Sequence, residues 1–505
     1  MKRTDLAPAR IRWGALATVA LALFGSTASA FDIAEIERNV TMSTLKNGLK
    51  VIVLERHDAP VVSLVTYANV GSADDPKGFT GMAHVFEHMA FKGDKQIGTK
   101  NYAAEAKAID AEEQAFLAWR SARSQIGADS VKVAALEAEF RAAQKRCDSF
   151  VMTNEFGEIV EREGFVGLNA FTSWDQTCYL YNFPQNKLEL AVMMEASRFS
   201  NPVLREYHKE VDVVKEERRM RSESNPIGKL LEEFLAVAYK AHPYGLPPVG
   251  HMSDLGQYSR SEALTFFQRY YAPNNLCIAV VGDVNSADVF RYVEKYFGQL
   301  PAGNQVDPIA TLEPVQNGER RVVVEDPSQP VWIVGYKVPN SLDPDKPALD
   351  ALVDYLGQGR TSLLYKKLVK ETKKAVQVGA FTGLPGDKYP SLVAVFAIAS
   401  KDVTNQDIET LVFAEVNRLQ EEKLNDEEIA AIKARARNAY ISQFEDRLNT
   451  ALQLAQAEMV NGDWKEFFRQ LDKINAVTAD DIQRVARQYL TRKNRTVGYI
   501  ETIES

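Results

Sequence analysis

One short stretch of the chain, GMAHVFEHMAFKG, holds the residues whose types and spacing are best suited to chemistry. His84 and His88 are four residues apart, and Glu87 lies between them in the pattern His-x-x-Glu-His. On a helix, residues four apart share one face, so both imidazoles can reach the same point. Two such imidazoles can begin a zinc site, and a neighbouring glutamate can act as its general base. The pattern alone fits two ordinary helix histidines and a surface glutamate equally well.

A catalytic zinc site needs at least one more protein ligand, with one position left to water. The segment HKEVDVVKEERRMR offers the best candidates, because Glu210 and Glu217 are seven residues apart and share a helical face. Glu216 points about 100° away. The valines between them can bury part of this helix, and a partly buried carboxylate needs a cation or hydrogen-bond partners. Zinc would meet that need for Glu217, and a solvated charged helix is the alternative.

The sequence around these residues predicts strands and helices that could position them. Asn47-Gly48 indicates a hairpin, and the runs rich in Val, Ile and Leu on either side are typical of strands. A helix that carries the histidines is predicted from about residue 81. Strand character returns at 165–183, and helices are predicted at 185–198 and 204–235.

A stretch rich in alanine and charged residues, about 102–146, separates the two candidate ligand helices. Its apolar residues recur at helical spacing and Gly127 interrupts it, which predicts two helices packed as an antiparallel hairpin. We expect this hairpin to be a charged, partly solvated arm without a catalytic role. A lid or a partner-docking arm is the alternative.

An internal repeat with a period of more than 200 residues indicates a duplicated domain. VIVLERHDAPVVSLVTYANVGSADDP resembles VVVEDPSQPVWIVGYKVPNSLDP, and the unit that ends NNLCIAVVGDV resembles the C-terminal TADDIQRVARQYLTRKNRTVGYIET. The second copy reads LDALVDYLGQG where the first has its histidines. The fold class is therefore predicted as α+β, with two α/β sandwiches, each a mostly antiparallel sheet with helices on one face. The helical hairpin is an insertion in the first.

The predicted organisation has four parts. A signal peptide (1–30) precedes a zinc-bearing domain (31–300, with its insertion at about 102–160), a linker (301–318) and a C-terminal repeat domain without the metal motif (319–505). The leader has a basic start, an apolar run of about twelve residues that is short for a bilayer span, and a small-x-small site, so cleavage is expected after Ala30. The protein is expected to be periplasmic or secreted, without stable membrane insertion. A retained anchor is the alternative.

Net charge and cysteine content argue against two classes of protein, general nucleic-acid binders and disulfide-stabilised proteins. A net charge of −8 argues against a general nucleic-acid binder. Cys147, Cys178 and Cys277 are too sparse for a disulfide framework and lack the spacing of a thiolate metal site. Cys178 and Cys277 fall in strand-like runs and are expected to be buried, and a single bridge stays open.

Taken together, the motifs resemble the pitrilysin/insulinase family of zinc metallopeptidases, the inverzincins. The matching segments, in order, are the NGLKV hairpin, GFTGMAHVFEHMAFKG, GLNAFTSWDQTCYLY, EVDVVKEE, HPYGLPPVG and the duplicated second half. They cover nearly the whole chain after the leader. The short, two-domain length resembles the branch that works as dimers, with mitochondrial processing peptidase and bacterial exported homologues among its members.

The resemblance implies an enzyme, a zinc metalloendopeptidase that cleaves peptides or unfolded segments. It places one Zn²⁺ per chain on His84, His88 and Glu217, with Glu87 as the general base and Glu210 as a supporting acid, while Asn169 and Ala170 match edge-strand residues that pair with substrate backbone. It also implies that the two halves form a half-clamshell around a cavity, which would favour short or unfolded substrates.

Two features depart from the family pattern. His88 and Glu217 are 129 residues apart, a longer gap than usual, and the predicted hairpin accounts for the surplus. Active members also carry an Arg and a Tyr seven residues apart in the second half, whereas Val369 and Val376 occupy those positions here. Nearby Arg360 and Tyr365 are only five apart.

The missing pair leads to the hypothesis of a heterodimer in which a related subunit supplies the Arg and Tyr and this chain supplies the zinc. A homodimer, or a chain that acts alone, is the alternative. A non-catalytic assembly subunit, like the core proteins of respiratory complexes, and a peptidase dedicated to processing a peptide cofactor are competing functions. The intact metal-binding pattern favours the enzyme.

Overall fold

The computed structural model describes residues 33–200 and 202–504. The predicted signal peptide, 1–30, and its cleavage site lie outside the described residues. Two mixed sheets with packed helices form the fold, which confirms the predicted α+β class and the duplication.

The first half is built on a six-stranded sheet. Its strands are β1 (Val40–Thr44), β2 (Lys50–Glu55), β3 (Val61–Ala68), β4 (Val166–Thr172), β5 (Thr177–Pro184) and β6 (Leu276–Gly282). Its helices are α1 (Ile33–Arg38), α2 (Met82–Met89), α3 (Tyr102–Arg123), α4 (Ser130–Asp148), α5 (Glu155–Arg162), α6 (Leu188–Ser200), α7 (Tyr207–Arg218), α8 (Pro226–Ala238), α9 (Met252–Leu255), α10 (Arg260–Tyr270) and α11 (Ser286–Phe297).

The second half contains a five-stranded sheet. Its strands are β7 (Arg320–Asp326), β8 (Val331–Val338), β9 (Ala375–Leu384), β10 (Ser391–Ala399) and β11 (Arg495–Thr502). Its helices are α12 (Lys346–Gly357), α13 (Asn405–Glu421), α14 (Asp426–Ser442), α15 (Arg447–Gln456), α16 (Glu466–Ala476) and α17 (Ala479–Tyr489). No regular element lies between α11 and β7 in the described chain, where the sequence predicts a linker. The exact domain boundaries stay a prediction.

The two sheets share one topology. The first has the order β1-β2-β6-β3-β5-β4 and the second β7-β11-β8-β10-β9, so the second repeats the first without β1. In each sheet one pair is parallel, β2 with β6 and β7 with β11, and the remaining pairs are antiparallel. The repeat seen in the sequence is therefore a repeat of strand order and direction.

Each half buries one face of its sheet beneath its own helices and the other beneath helices of the opposite half. In β2, Val51 and Val53 face the first core, which contains α2, α6 and α7, whereas Ile52 and Leu54 face the other side. That other side is covered by residues of α14–α16, including Tyr440 and Phe467, and by Phe444 in the turn between α14 and α15. The predicted helices on one face are present, and the second face is closed by this exchange between halves.

The reciprocal contact is made by α8, which lies on the second sheet. The ring of Phe234 is fully buried there, against Gly335 of β8 and Gly498 of β11. A β-carbon would lie 2.8 Å from a ring atom at Gly335 and 3.1 Å at Gly498, so the two glycines make the room that the ring occupies.

The predicted helical hairpin is confirmed as α3 and α4, which contact each other along their length. It is not the solvated arm that the sequence suggested, because Phe116, Phe140 and two glutamates of α3 are buried against the body of the first half. The sequence alone does not show whether a charged residue on a helix has a buried partner elsewhere in the chain.

The three cysteines are buried and free. Cys178 of β5 and Cys277 of β6 both lie opposite Tyr67 of β3, on its two sides. They are therefore about 9.6 Å apart, two strand spacings, which is too far for a disulfide. Within the described ranges, no helix combines the length and apolar character needed to cross a membrane.

The exchange of helices predicts that neither half is stable without the other. Replacing Phe234 with Ala should lower the free energy of unfolding by about 3–5 kcal/mol, because it removes a large buried ring and leaves a cavity between α8 and the second sheet. Denaturation in urea measures this. Ile227→Ala, on the same helix but 50% exposed, is the control and should cost about 0.5 kcal/mol or less. Equal losses in both variants would contradict this packing.

Candidate metal centre

Helix α2 is held at its start by a buried carboxylate. The helix begins after Gly81, whose φ of 89° and missing side chain leave the first N–H groups without a local acceptor. Asp75 accepts from the backbone N–H of Gly81 at 2.7 Å and of Ala83 at 3.0 Å. The carboxylate therefore fixes the first turn of the helix that carries the histidines.

The segment HPYGLPPVG packs against this same turn. A β-carbon at Gly250 would lie 2.2 Å from the carbonyl oxygen of Thr80, so the two backbones approach closely enough to require glycine. Thr80 also donates from its hydroxyl to Asp254 of α9 at 2.8 Å. The contacts tie α2 to the chain that follows α8.

The two histidines share one face of α2, as their spacing predicts. His84 is 3% exposed and His88 is half-buried, and their ring centroids are 5.0 Å apart in an edge-on arrangement. Donor atoms of His84, Glu87 and His88 lie within 4.8 Å of one another. The neighbouring Phe86 points into the core and anchors the opposite side of the helix.

Glu217 of α7 meets both rings. Its carboxylate oxygens lie 3.6 Å from Nε2 of His84 and 3.3 Å from Nε2 of His88. Ligand atoms about 2.0–2.2 Å from a tetrahedral zinc ion are roughly 3.4 Å from one another. Two imidazole nitrogens and one carboxylate at these separations fit a zinc ion, and they leave a position for water.

Glu210, two turns earlier on α7, lies on the far side of the second ring. Its Oε2 is 3.4 Å from Nδ1 of His88, and its Oε1 forms an ion pair with Lys92. Lys92 also contacts Glu206 at 3.0 Å. A carboxylate that accepts from the second ring nitrogen of a metal-binding histidine orients that ring, and this is the geometry expected of the supporting acid.

The environment sets the protonation of each group. Burial lowers the pKa of His84 to about 4, so its ring is neutral and able to bind a metal. Burial also acts to lower the pKa of His88, but hydrogen bonds to Glu210 and Glu217 raise it to about 9. The hydrogen bond from His88 in turn holds the pKa of Glu217 below its usual value. A metal ion binds only an unprotonated imidazole nitrogen, so a metal on Nε2 of His88 would take the place of a proton there.

Glu87 lies beside the rings with an oxygen 3.8 Å from Nε2 of His84. Burial raises the pKa of its carboxyl group, against the opposing effects of a hydrogen bond to Thr172 and the charge of His88. A carboxylate with a raised pKa is a better proton acceptor than an exposed one.

The residues expected to contact substrate lie on an edge strand next to α2. β4 pairs with β5 alone among the described strands, and α2 packs against both. Asn169 is exposed opposite Leu180, and Ala170 is buried opposite Tyr179. The free edge of β4 can accept an extended backbone.

In the second half, Val369 and Val376 differ from each other in environment. Val369 lies in a π-helical turn, Tyr365–Glu371, and packs on the second core, whereas Val376 of β9 is 57% exposed. Arg360 is exposed in the turn before them. Neither valine has a group that could hold a substrate carbonyl by hydrogen bonding.

Sequence reasoning missed three residues of the site. Asp75 holds the first turn of α2, Lys92 pairs with Glu210, and Arg221 contacts Glu217 at 2.7 Å. Arg221 lies four residues after Glu217, and that helical spacing could have identified it. Lys92 lies beyond the end of α2 and pairs with a residue of another helix, so it gives no such local signal. Asp75 gives no such signal either: the first N–H groups of every helix need an acceptor from outside the helix, and the sequence does not show that Asp75 supplies it where the N-cap is glycine.

Comparison with known proteins adds the family. Residues 50–124 and 149–250 match a family model described as insulinase (peptidase family M16), and residues 257–436 match one described as the peptidase M16 inactive domain. The first match is interrupted across α4. The chain is 28% identical over 493 residues to the zinc protease PqqE of Helicobacter pylori, covering 96% of this chain and 97% of that protein.

Solved structures of similar fold point to the same family. A protease from Helicobacter pylori has a TM-score of 0.77 and 27% identity, covering 92% of this chain and 99% of its own. A peptidase M16 inactive domain from Pseudomonas fluorescens shares the fold with a TM-score of 0.72 at 15% identity, covering 92% and 98%. The family models, which span most of both halves, and these relatives show that the chain belongs to the insulinase family of peptidases, family M16.

Proposed function

We propose that the chain is an exported zinc metalloendopeptidase that hydrolyses peptides or unfolded segments. His84, His88 and Glu217 hold one Zn²⁺, and Glu87 is the general base. The observation that carries the proposal is the approach of one carboxylate to both imidazoles, at 3.6 and 3.3 Å, from a helix 129 residues further along the chain.

The catalytic role of the protein side chains follows from their positions. When bound, zinc supplies a Lewis acid that polarises the scissile carbonyl and acidifies a water molecule. Glu87 accepts the proton of the attacking water and returns it to the leaving amine nitrogen. Glu210 accepts from Nδ1 of His88 and keeps Nε2 directed at the metal.

Substrate is expected to bind as an extended strand along β4. Backbone groups of Asn169 and Ala170 would pair with the peptide, and the position of β4 against α2 would bring its scissile bond to the metal. Such binding recognises main-chain groups. It suits peptides or unfolded segments, because a folded substrate has few strands whose backbone groups are unpaired.

A related subunit is proposed as partner, since Val369 and Val376 occupy the positions of the usual Arg and Tyr. A heterodimer would supply that pair from the second chain. Full peptidase activity from the lone chain, as monomer or homodimer, would remove the need for it. Export is proposed from the leader alone.

Metal binding should depend on Glu217 and not on its neighbour. Glu217→Gln should weaken zinc binding by more than about 100-fold, because the ligand charge is lost. Glu216→Gln is the matched control, since its side chain is 65% exposed and pairs with Arg219. Competition with a chromophoric chelator measures both affinities. A Glu217→Gln chain that binds zinc as tightly as Glu216→Gln would remove Glu217 from the ligand set.

Peptide hydrolysis should depend on Glu87 without affecting the metal. Glu87→Gln should retain one zinc per chain and lower kcat/KM by roughly 10²–10⁴-fold, because the amide cannot accept the proton. The assay is cleavage of a quenched, unfolded peptide, with and without chelator. Turnover at the unmodified rate would show that another group is the base, and activity that survives complete metal removal would exclude a metallopeptidase.

A further inference from the structure

The turn that leads into α7 has an unusual backbone. Leu204 and Glu206 have φ values of 50° and 57°, in the left-handed region that side chains other than glycine rarely adopt. Such residues persist where their surroundings hold them in place. Because α7 begins at Tyr207, this turn sets the position and direction of the helix that carries Glu210 and Glu217.

Arg205, between the two strained residues, is 2% exposed and joins three parts of the chain. Its Nε and Nη2 donate to the two oxygens of Glu105 on α3, at 2.5 and 2.9 Å. Its remaining donors reach the carbonyl oxygens of Lys92 at 2.6 Å, Asp94 at 2.9 Å and Ile97 at 3.0 Å. One guanidinium thus connects the inserted hairpin, the loop after the histidine helix and the start of α7.

A second buried arginine reaches the same turn. Arg260, which is 4% exposed, donates from Nη2 to Glu112 at 2.9 Å, from Nη1 to the carbonyl of Ile109 at 3.1 Å and from Nε to the carbonyl of Leu204 at 3.2 Å. Glu105 and Glu112 are seven residues apart and lie on one face of α3. We name the two pairs, Arg205–Glu105 and Arg260–Glu112, the double clamp.

An aromatic contact continues the packing along α7. His208 is buried with its ring centroid 4.2 Å from that of Phe116 on α3 and 5.1 Å from that of Phe140 on α4. Glu210 and Glu217 point the other way, toward α2. The ligand helix is therefore enclosed between the histidine helix and the hairpin.

We propose that the hairpin α3–α4 is a positioning element of the metal centre, acting through the double clamp. It fixes the start of α7 and thereby the distance from Glu217 to the two imidazoles. Arg205 and Glu105 are positioning residues that touch neither metal nor substrate. The inference rests on the proposed function, because it needs Glu217 to be a metal ligand.

Because both ion pairs are buried, they couple the hairpin strongly to the start of α7. Removing one partner of a buried ion pair leaves an uncompensated charge, so the clamp does not loosen gradually. The hairpin also contacts α7 through Arg141 and Asp212, at 3.3 Å, but both side chains are more than 40% exposed. A solvent-exposed pair contributes little, so Asp212 provides a matched control between the same two elements.

The test compares Glu105→Gln with Asp212→Asn in the full chain. Glu105→Gln should weaken zinc binding by about 10–100-fold, the range typical of residues that hold a metal ligand in place. It should also change the visible spectrum of the Co²⁺-loaded protein, which reports coordination geometry. Asp212→Asn should stay within about 2-fold of the unmodified chain. Unchanged zinc affinity and Co²⁺ spectrum in Glu105→Gln would overturn the inference. An unmodified chain that binds no zinc would instead overturn the proposed function.

A measurement on the unmodified chain covers the case in which Glu105→Gln does not fold. If the hairpin strengthens zinc binding, zinc must equally stabilise the docked hairpin. Adding zinc should therefore slow hydrogen exchange of the α3 amides, together with those of α2 and α7, by more than it slows those of α13 in the second half. Slowing in α2 and α7 with α3 no more affected than α13 would overturn the inference.

Discussion

The approach of one carboxylate to two imidazoles is the constraint on which the rest of the site depends. His84, His88 and Glu217 come from helices far apart in sequence, and a mutual separation near 3.4 Å tolerates little error. Neither helix can hold that position by itself. Three features hold the two helices in place: the core beneath α2, the carboxylate at its first turn, and the buried ion pairs at the start of α7. Each restrains a movement that would separate the carboxylate from the two imidazoles.

The two halves contain sheets of one topology, but only the first half carries the histidine motif. The first half carries the histidines on α2, whereas the second has α12 at the corresponding place with an apolar face directed at its own core. Through the exchange of helices, α8 lies on the second sheet and α14–α16 lie on the first, so each half covers one face of the other's sheet. The second half therefore contributes to the packing of the first sheet although it lacks the histidine motif.

Much of the fold and of the candidate site was predictable, because it follows from the periodicity of residues that are close together in the sequence. The helix at His84, the spacing of Glu210 and Glu217 and the hairpin helices all follow from patterns within short windows, and the repeat follows from comparing the two halves of the sequence. The contacts of Arg205 and Asp75 did not, since their partners are set by tertiary packing across about 100 residues or by a helix terminus. The hairpin was misjudged for the same reason, because Glu105 and Glu112 look like solvated charges until their buried arginines are located.

X-ray absorption at the zinc edge of the zinc-loaded chain reports the ligand atoms of the metal directly. We expect two imidazole nitrogens and at least one carboxylate oxygen at roughly 2.0–2.2 Å. A sulfur neighbour at about 2.3 Å, or a shell without the imidazole pair, would contradict it.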